Sequence, residues 1–233
     1  MKEKDKYIHE KENSMKKFSM KKFSMKMELW FDIFYLSAIL ILSIYFLMSR
    51  EDIKKIWGIM ALILVFGDSF HLVPRIASII TGNKKKFQVA LGLGKMITSI
   101  TMTIFYLFLW HCGLQLFDVK DMNATIIIHI LAVIRIVLCL SPKNQWIEEI
   151  PSYRWGIYRN IPFIIEGIMV MFLFIQYGNV LTASLNLMWL GILLSYLFYI
   201  PVVLWVHKYP MLGMLMLPKS CVYIWIVCMG LGI

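Results

Sequence analysis

Between Ile56 and Gly82 the chain is apolar over a length that crosses a bilayer, yet the middle of that stretch reads Gly67-Asp68-Ser69-Phe70-His71-Leu72-Val73-Pro74-Arg75. An α-helix rises about 1.5 Å per residue, so roughly 20 apolar residues span the hydrocarbon core. Ionisable groups inside such a span face other helices. Asp68, His71 and Arg75 stand at i, i+3 and i+7, so they form one polar stripe on one helical face. Pro74 has no N–H for the carbonyl of Phe70, which leaves an acceptor for another group to satisfy. The stripe demands a bundle interior and is the first candidate site.

The rest of the sequence supplies that bundle. Sixty per cent apolar residues, 16 % charged residues and a mean hydropathy of +0.71 exceed the apolar share of soluble domains, about 45–50 %. An all-α polytopic membrane bundle is expected, with seven spans near 28–49, 56–82, 94–117, 124–141, 161–178, 183–206 and 211–233. A net charge of +10 in a soluble chain would point to nucleic acid. Here nine of the 24 Lys and Arg residues precede the first span, so anionic lipid headgroups are the expected partner and nucleic acid is not. Cys112, Cys139, Cys221 and Cys228 form no CxxC or CxxH pair. They read as small membrane-buried residues, and no metal or other cofactor is expected.

Residues 1–27 read as a basic, low-complexity cytoplasmic leader, and residues 28–233 as the transmembrane domain. Ser14-Met15-Lys16-Lys17-Phe18 recurs at Ser19–Phe23 and begins again at Ser24-Met25-Lys26, a tandem expansion suited to lying on a membrane surface. No small-residue cleavage site follows the first apolar span, which is therefore kept as a helix. With the N-terminus inside, the inner segments carry the leader lysines, Lys84, Lys85, Lys86, Lys143, Arg154, Arg159 and Lys208, whereas the outer loops carry Arg50, Lys54, Lys55 and Lys120. That asymmetry predicts N-terminus in and C-terminus out.

Counting helical rise from the inner ends puts Arg75 and Arg135 roughly 9 to 11 Å deep, Glu166 roughly 8 Å, Lys219 roughly 12 Å, His71 deeper and Asp68 near the midplane. Tyr199 and Tyr223 reach the same layer. Two carboxylates, Asp68 and Glu166, then face three cations, Arg75, Arg135 and Lys219. Either Lys219 sheds its proton or an anion fills the site, because an unpaired buried cation is costly. The sequence thus predicts a cytoplasm-facing cavity in which Asp68, His71 and Glu166 do acid–base work while Arg75, Arg135, Lys219, Tyr199 and Tyr223 hold an anionic head. A membrane-embedded enzyme acting on an anionic lipid or amphiphile is the leading expectation. The alternatives are a transporter or sensor of an organic anion, flexing at Pro74, Pro162, Pro201 and Pro218, and a purely structural ion-pair network.

Smaller expectations complete the reading. His111, Gln115 and His129 line an outer vestibule, or are simply hydrogen-bonded. Thr98, Ser99, Thr101 and Thr103 suit helix-to-helix hydrogen bonds. Gly92 and Gly94 fall in a loop before span three. The Gly67–Arg75 motif, with Arg159-Asn160-Ile161-Pro162-Phe163 and Leu217-Pro218-Lys219, resembles a family of uncharacterised bacterial seven-helix membrane proteins, which implies a bacterial plasma membrane and carries no activity over. Lys219 in the last helix is loosely similar to the retinal lysine of microbial rhodopsins. The intramembrane Asp68 and Glu166 are loosely similar to the aspartates of lysoplasmalogenase-type proteins.

Overall fold

The computed structural model describes residues 2–149, 151–178 and 185–233, with side chains from Met25 onward except Pro210. Seven helices follow in order: α1 Lys2–Leu47, α2 Asp52–Thr81, α3 Gln88–Phe117, α4 Met122–Leu140, α5 Tyr153–Tyr177, α6 Met188–Trp205 and α7 Met216–Met229. All seven carry segments long and apolar enough to cross a membrane, and no strand occurs among the described residues. The chain is an all-α bundle compatible with an integral membrane protein. The backbone of the leader continues the helix of the first span, while the side chains of the leader lysines before Met25 lie outside the described residues. So does the expected start of span six at residue 183.

Two boundaries differ from the sequence reading for local reasons. α5 begins at Tyr153, eight residues before the apolar run that starts at Ile161. Its first two turns are polar: Asn160 Nδ2 donates to the carbonyl of Gly156 at 2.7 Å, and Arg159 Nη1 donates to Asn144 Oδ1 in the preceding connection at 2.8 Å. Gly92 and Gly94 are not in a loop; both are buried within α3. They are glycine because of how closely other backbone approaches. A Cβ at Gly92 would collide with the Trp146 carbonyl, and one at Gly94 with the carbonyl of Phe70 and the Cα of His71.

That second contact explains how Pro74 is accommodated. The Phe70 carbonyl, deprived of its helical donor by Pro74, lies against Gly94, so close that a Cβ there would collide with its oxygen. One α-helical turn nearer the N-terminus of α2, Gly67 packs against the Thr101 side chain, and Thr98 Oγ1 donates to the Gly67 carbonyl at 2.9 Å. Small residues on both helices bring α2 and α3 together, as membrane helices do when no hydrophobic force drives association. Ser99, Thr101 and Thr103 instead bond back to carbonyls of their own helix.

Consecutive helices pack as neighbours, α3 also touches α5, and α7 returns to α1. Trp57 fixes α2 to the end of α7: its Nε1 donates to the Val227 carbonyl at 3.0 Å and its indole lies against Gly230. The apolar interior around these crossings is rich in buried aromatics, among them Phe105, Tyr106, Phe163 and Phe174. A large side chain at the α2–α3 crossing has nowhere to go. Gly94→Leu should therefore lower unfolding free energy by about 1–3 kcal/mol through overpacking, measured by denaturant titration in detergent. Gly213→Ala, whose new methyl would meet Val206 at 3.9 Å, should change it by less than about 0.5 kcal/mol.

Candidate functional site

The α2 stripe opens on a cavity of about 90 Å³ bounded by α1, α2, α3 and α7. Asp68, His71 and Arg75 come from α2, and Lys219 and Tyr223 from one face of α7, one turn apart. Thr98 and Met102 of α3 close one side. The remaining polar wall is Asp32 of α1.

α1 is the contributor that sequence reasoning missed. Glu28, Asp32 and Tyr35 stand at i, i+4 and i+7, and all three meet the α2 stripe. Arg75 Nη2 donates to Glu28 Oε2 at 2.8 Å, and Arg75 Nε lies 3.9 Å from Asp32 Oδ2. Tyr35 Oη donates to Asp68 Oδ2 at 2.5 Å, a short bond that ties α1 to the α2 stripe. Glu28 and Asp32 sit at the start of the first span, outside the depth-matched set of charges drawn from the sequence. Their helical spacing with Tyr35 was the signal available in the sequence.

Lys219 is 8 % exposed. Its ammonium lies 4.4 Å from the ring centre of Tyr199 and 5.2 Å from that of Tyr223, while the ion pairs among the described residues leave it without a directly contacting carboxylate. Asp68 is the carboxylate sharing its cavity without a cation of its own. The charges around the cavity are therefore Glu28, Asp32 and Asp68 against Arg75 and Lys219, with Lys95 of α3 near His71 and Arg75. The positive surplus expected from the sequence is offset, because α1 brings two carboxylates. Asp32 is the least satisfied of these carboxylates: it is buried, its Oδ2 has no hydrogen-bond partner, and Arg75 is already held more closely by Glu28. His71 Nδ1, also buried, is likewise unpartnered.

Arg135, Glu166 and Tyr199 do not line this cavity. Arg135 is 1 % exposed and stacks its guanidinium 3.2 Å above the ring centre of Phe163, one turn from Glu166 on α5. Arg135 Nε and Nη1 and both carboxylate oxygens of Glu166 are buried without partners. Tyr199 Oη donates to Asn160 Oδ1 at 2.8 Å, and Tyr196 Oη to the Phe163 carbonyl at 2.7 Å. The polar interior is thus two sites with aromatic rings beside them, not the one cavity expected. His111 and His129 are exposed on α3 and α4 with their Nε2 atoms 3.3 Å apart. His129 Nδ1, 2.7 Å from the Thr125 carbonyl, carries the proton that makes that bond. Among the described residues, no group of three or more His, Cys, Asp or Glu is arranged to hold a metal ion.

The cavity joins two buried polar atoms without hydrogen-bond partners, Asp32 Oδ2 and His71 Nδ1, to the Asp68 carboxyl and the Lys219 amine, groups able to accept, hold and return a proton. Its geometry depends on the Tyr35–Asp68 bond. Tyr35→Phe should lower stability by about 1.5–3 kcal/mol, the range for a hydrogen bond to a charged group, measured by unfolding in detergent. A scan against protein-family models, a search of curated proteins and a search of solved structures each find no match to this chain.

Proposed function

We propose that the chain is a multi-pass membrane protein whose cavity between α1, α2, α3 and α7 is an acid–base site for the polar head of an amphiphile, acting as a membrane-embedded enzyme. The observation that carries this reading is the placing of Asp32 Oδ2 and His71 Nδ1, buried and unpartnered, on one small cavity. Each such group costs about 1–3 kcal/mol, more for a carboxylate, and such costs are tolerated where a bound group or a moving proton uses them. Asp32 accepts a proton from the bound head, His71 relays it, and Asp68, held by Tyr35, balances Lys219. Arg75 positions Glu28 and Asp32.

The N-terminus is cytoplasmic and the C-terminus outside in this proposal, supported by the loop-charge asymmetry. The resemblance of the Gly67–Arg75 motif supports a bacterial plasma membrane. The anionic head loses its charge argument, since the two carboxylates of α1 offset the cations of the cavity, and Arg135 and Glu166, beside Phe163 and outside the cavity lining, stand apart from the acid–base set.

A proton-coupled transporter or sensor is the second reading, favoured by Pro74, which stands in α2 between two cavity residues and places a hinge within the site. Pro218 gives no such hinge: it lies in the first turn of α7, where proline is tolerated. Infrared titration of the full chain in lipid nanodiscs tests both readings at their common step. A titrating protonated-carboxyl band should disappear in Asp32→Asn and persist in Glu166→Gln. A band indifferent to Asp32→Asn would refute the acid–base site.

A further inference from the structure

We infer that the cavity takes the primary ammonium head of a membrane lipid, admitted sideways between α1 and α7 with its chain lying in a groove beside the cavity. The inference rests on the cavity being the working site and adds the chemical class that the site receives. At about 90 Å³ the polar cavity is well below the roughly 300–1,000 Å³ of ordinary ligand sites. A second space of about 540 Å³ adjoins it, lined by Lys26, Met27, Trp30, Phe31 and Leu217. Leu217 lines both spaces, and Phe31 of the groove immediately precedes Asp32 of the cavity. The apolar groove at the bundle surface therefore lies beside the cavity wall that carries Asp32.

Charge and hydrogen bonding select the head. The charged neighbours of Asp32 are Glu28 and Asp68 against Arg75 alone, so a cation beside Asp32 completes the local balance. Asp32 Oδ2 and His71 Nδ1 both lack donors. A primary ammonium brings three N–H donors to them, whereas a trimethylammonium brings none and is larger. Lys26, exposed at the groove, suits the phosphate that follows the ammonium in an aminophospholipid.

The test uses the full chain in nanodiscs of phosphatidylcholine containing equal minor fractions of phosphatidylethanolamine and phosphatidylglycerol. Lipids retained after detergent re-extraction are quantified against the bulk. Phosphatidylethanolamine should be enriched about tenfold, the factor that one charged hydrogen bond supports. Asp32→Asn should abolish the preference. Leu217→Trp, which fills the passage while keeping every charge, should abolish it as well, and it serves alone if Asp32→Asn fails to fold. Enrichment of phosphatidylglycerol instead, or a preference undiminished in the variants, overturns the inference. If no lipid is enriched while the infrared band still depends on Asp32, the inference falls and the acid–base reading stands. If both results are negative, both fall.

Discussion

Charges inside an apolar bundle persist only with partners, and here the partnership is made between α1 and α2. Arg75 is held by Glu28 with Asp32 beside it, and Asp68 is held by Tyr35. Removing one member of such a set strands the others in low dielectric, which is more costly than never having made it. The arrangement fixes the rotation of both helices about their axes, because the spacing of Glu28, Asp32 and Tyr35 matches only one face of α2. With that rotation fixed, His71 also faces the cavity, and the apolar faces of Phe66, Phe70 and Val73 turn outward.

The third helix completes the site without charge. Gly67 and Gly94 allow α2 and α3 to approach until backbone meets backbone, and Gly94 covers the carbonyl that Pro74 leaves open. A helix break placed beside a polar stripe would ordinarily admit water or a side chain. Here glycine seals it, so the cavity is polar by virtue of its side chains and not because the backbone of α2 is frayed. α7 then supplies Lys219 over two tyrosine rings, a cation held by π faces and by the nearby charge of Asp68.

The seven spans were legible in the sequence because apolar length is a one-dimensional signal. The α2 stripe was legible too, since i, i+3, i+7 spacing within one span is a local property. The partners across helices were not. Equal depth suggested that Arg135 and Glu166 join Asp68, but depth fixes only the coordinate along the membrane normal. Their positions around the bundle are set by the stacking of Arg135 on Phe163 and by the order of helix neighbours. Glu28 and Asp32, at the start of the first span, had no part in the charge balance drawn from the sequence, and they offset its positive surplus. Gly92 and Gly94 were expected in a loop because no strand precedes them to make a nucleotide-binding turn, whereas in membrane helices glycine also marks close crossings.

The account depends most on α1 providing half of the charged site. A double-mutant cycle on unfolding free energy in mixed micelles, with Arg75→Gln, Glu28→Gln and the pair together, measures that directly. If the ion pair is as described, the double variant should be less destabilised than the sum of the singles by about 1 kcal/mol or more. Additivity within about 0.5 kcal/mol would contradict it, by showing that Glu28 and Arg75 do not share a site.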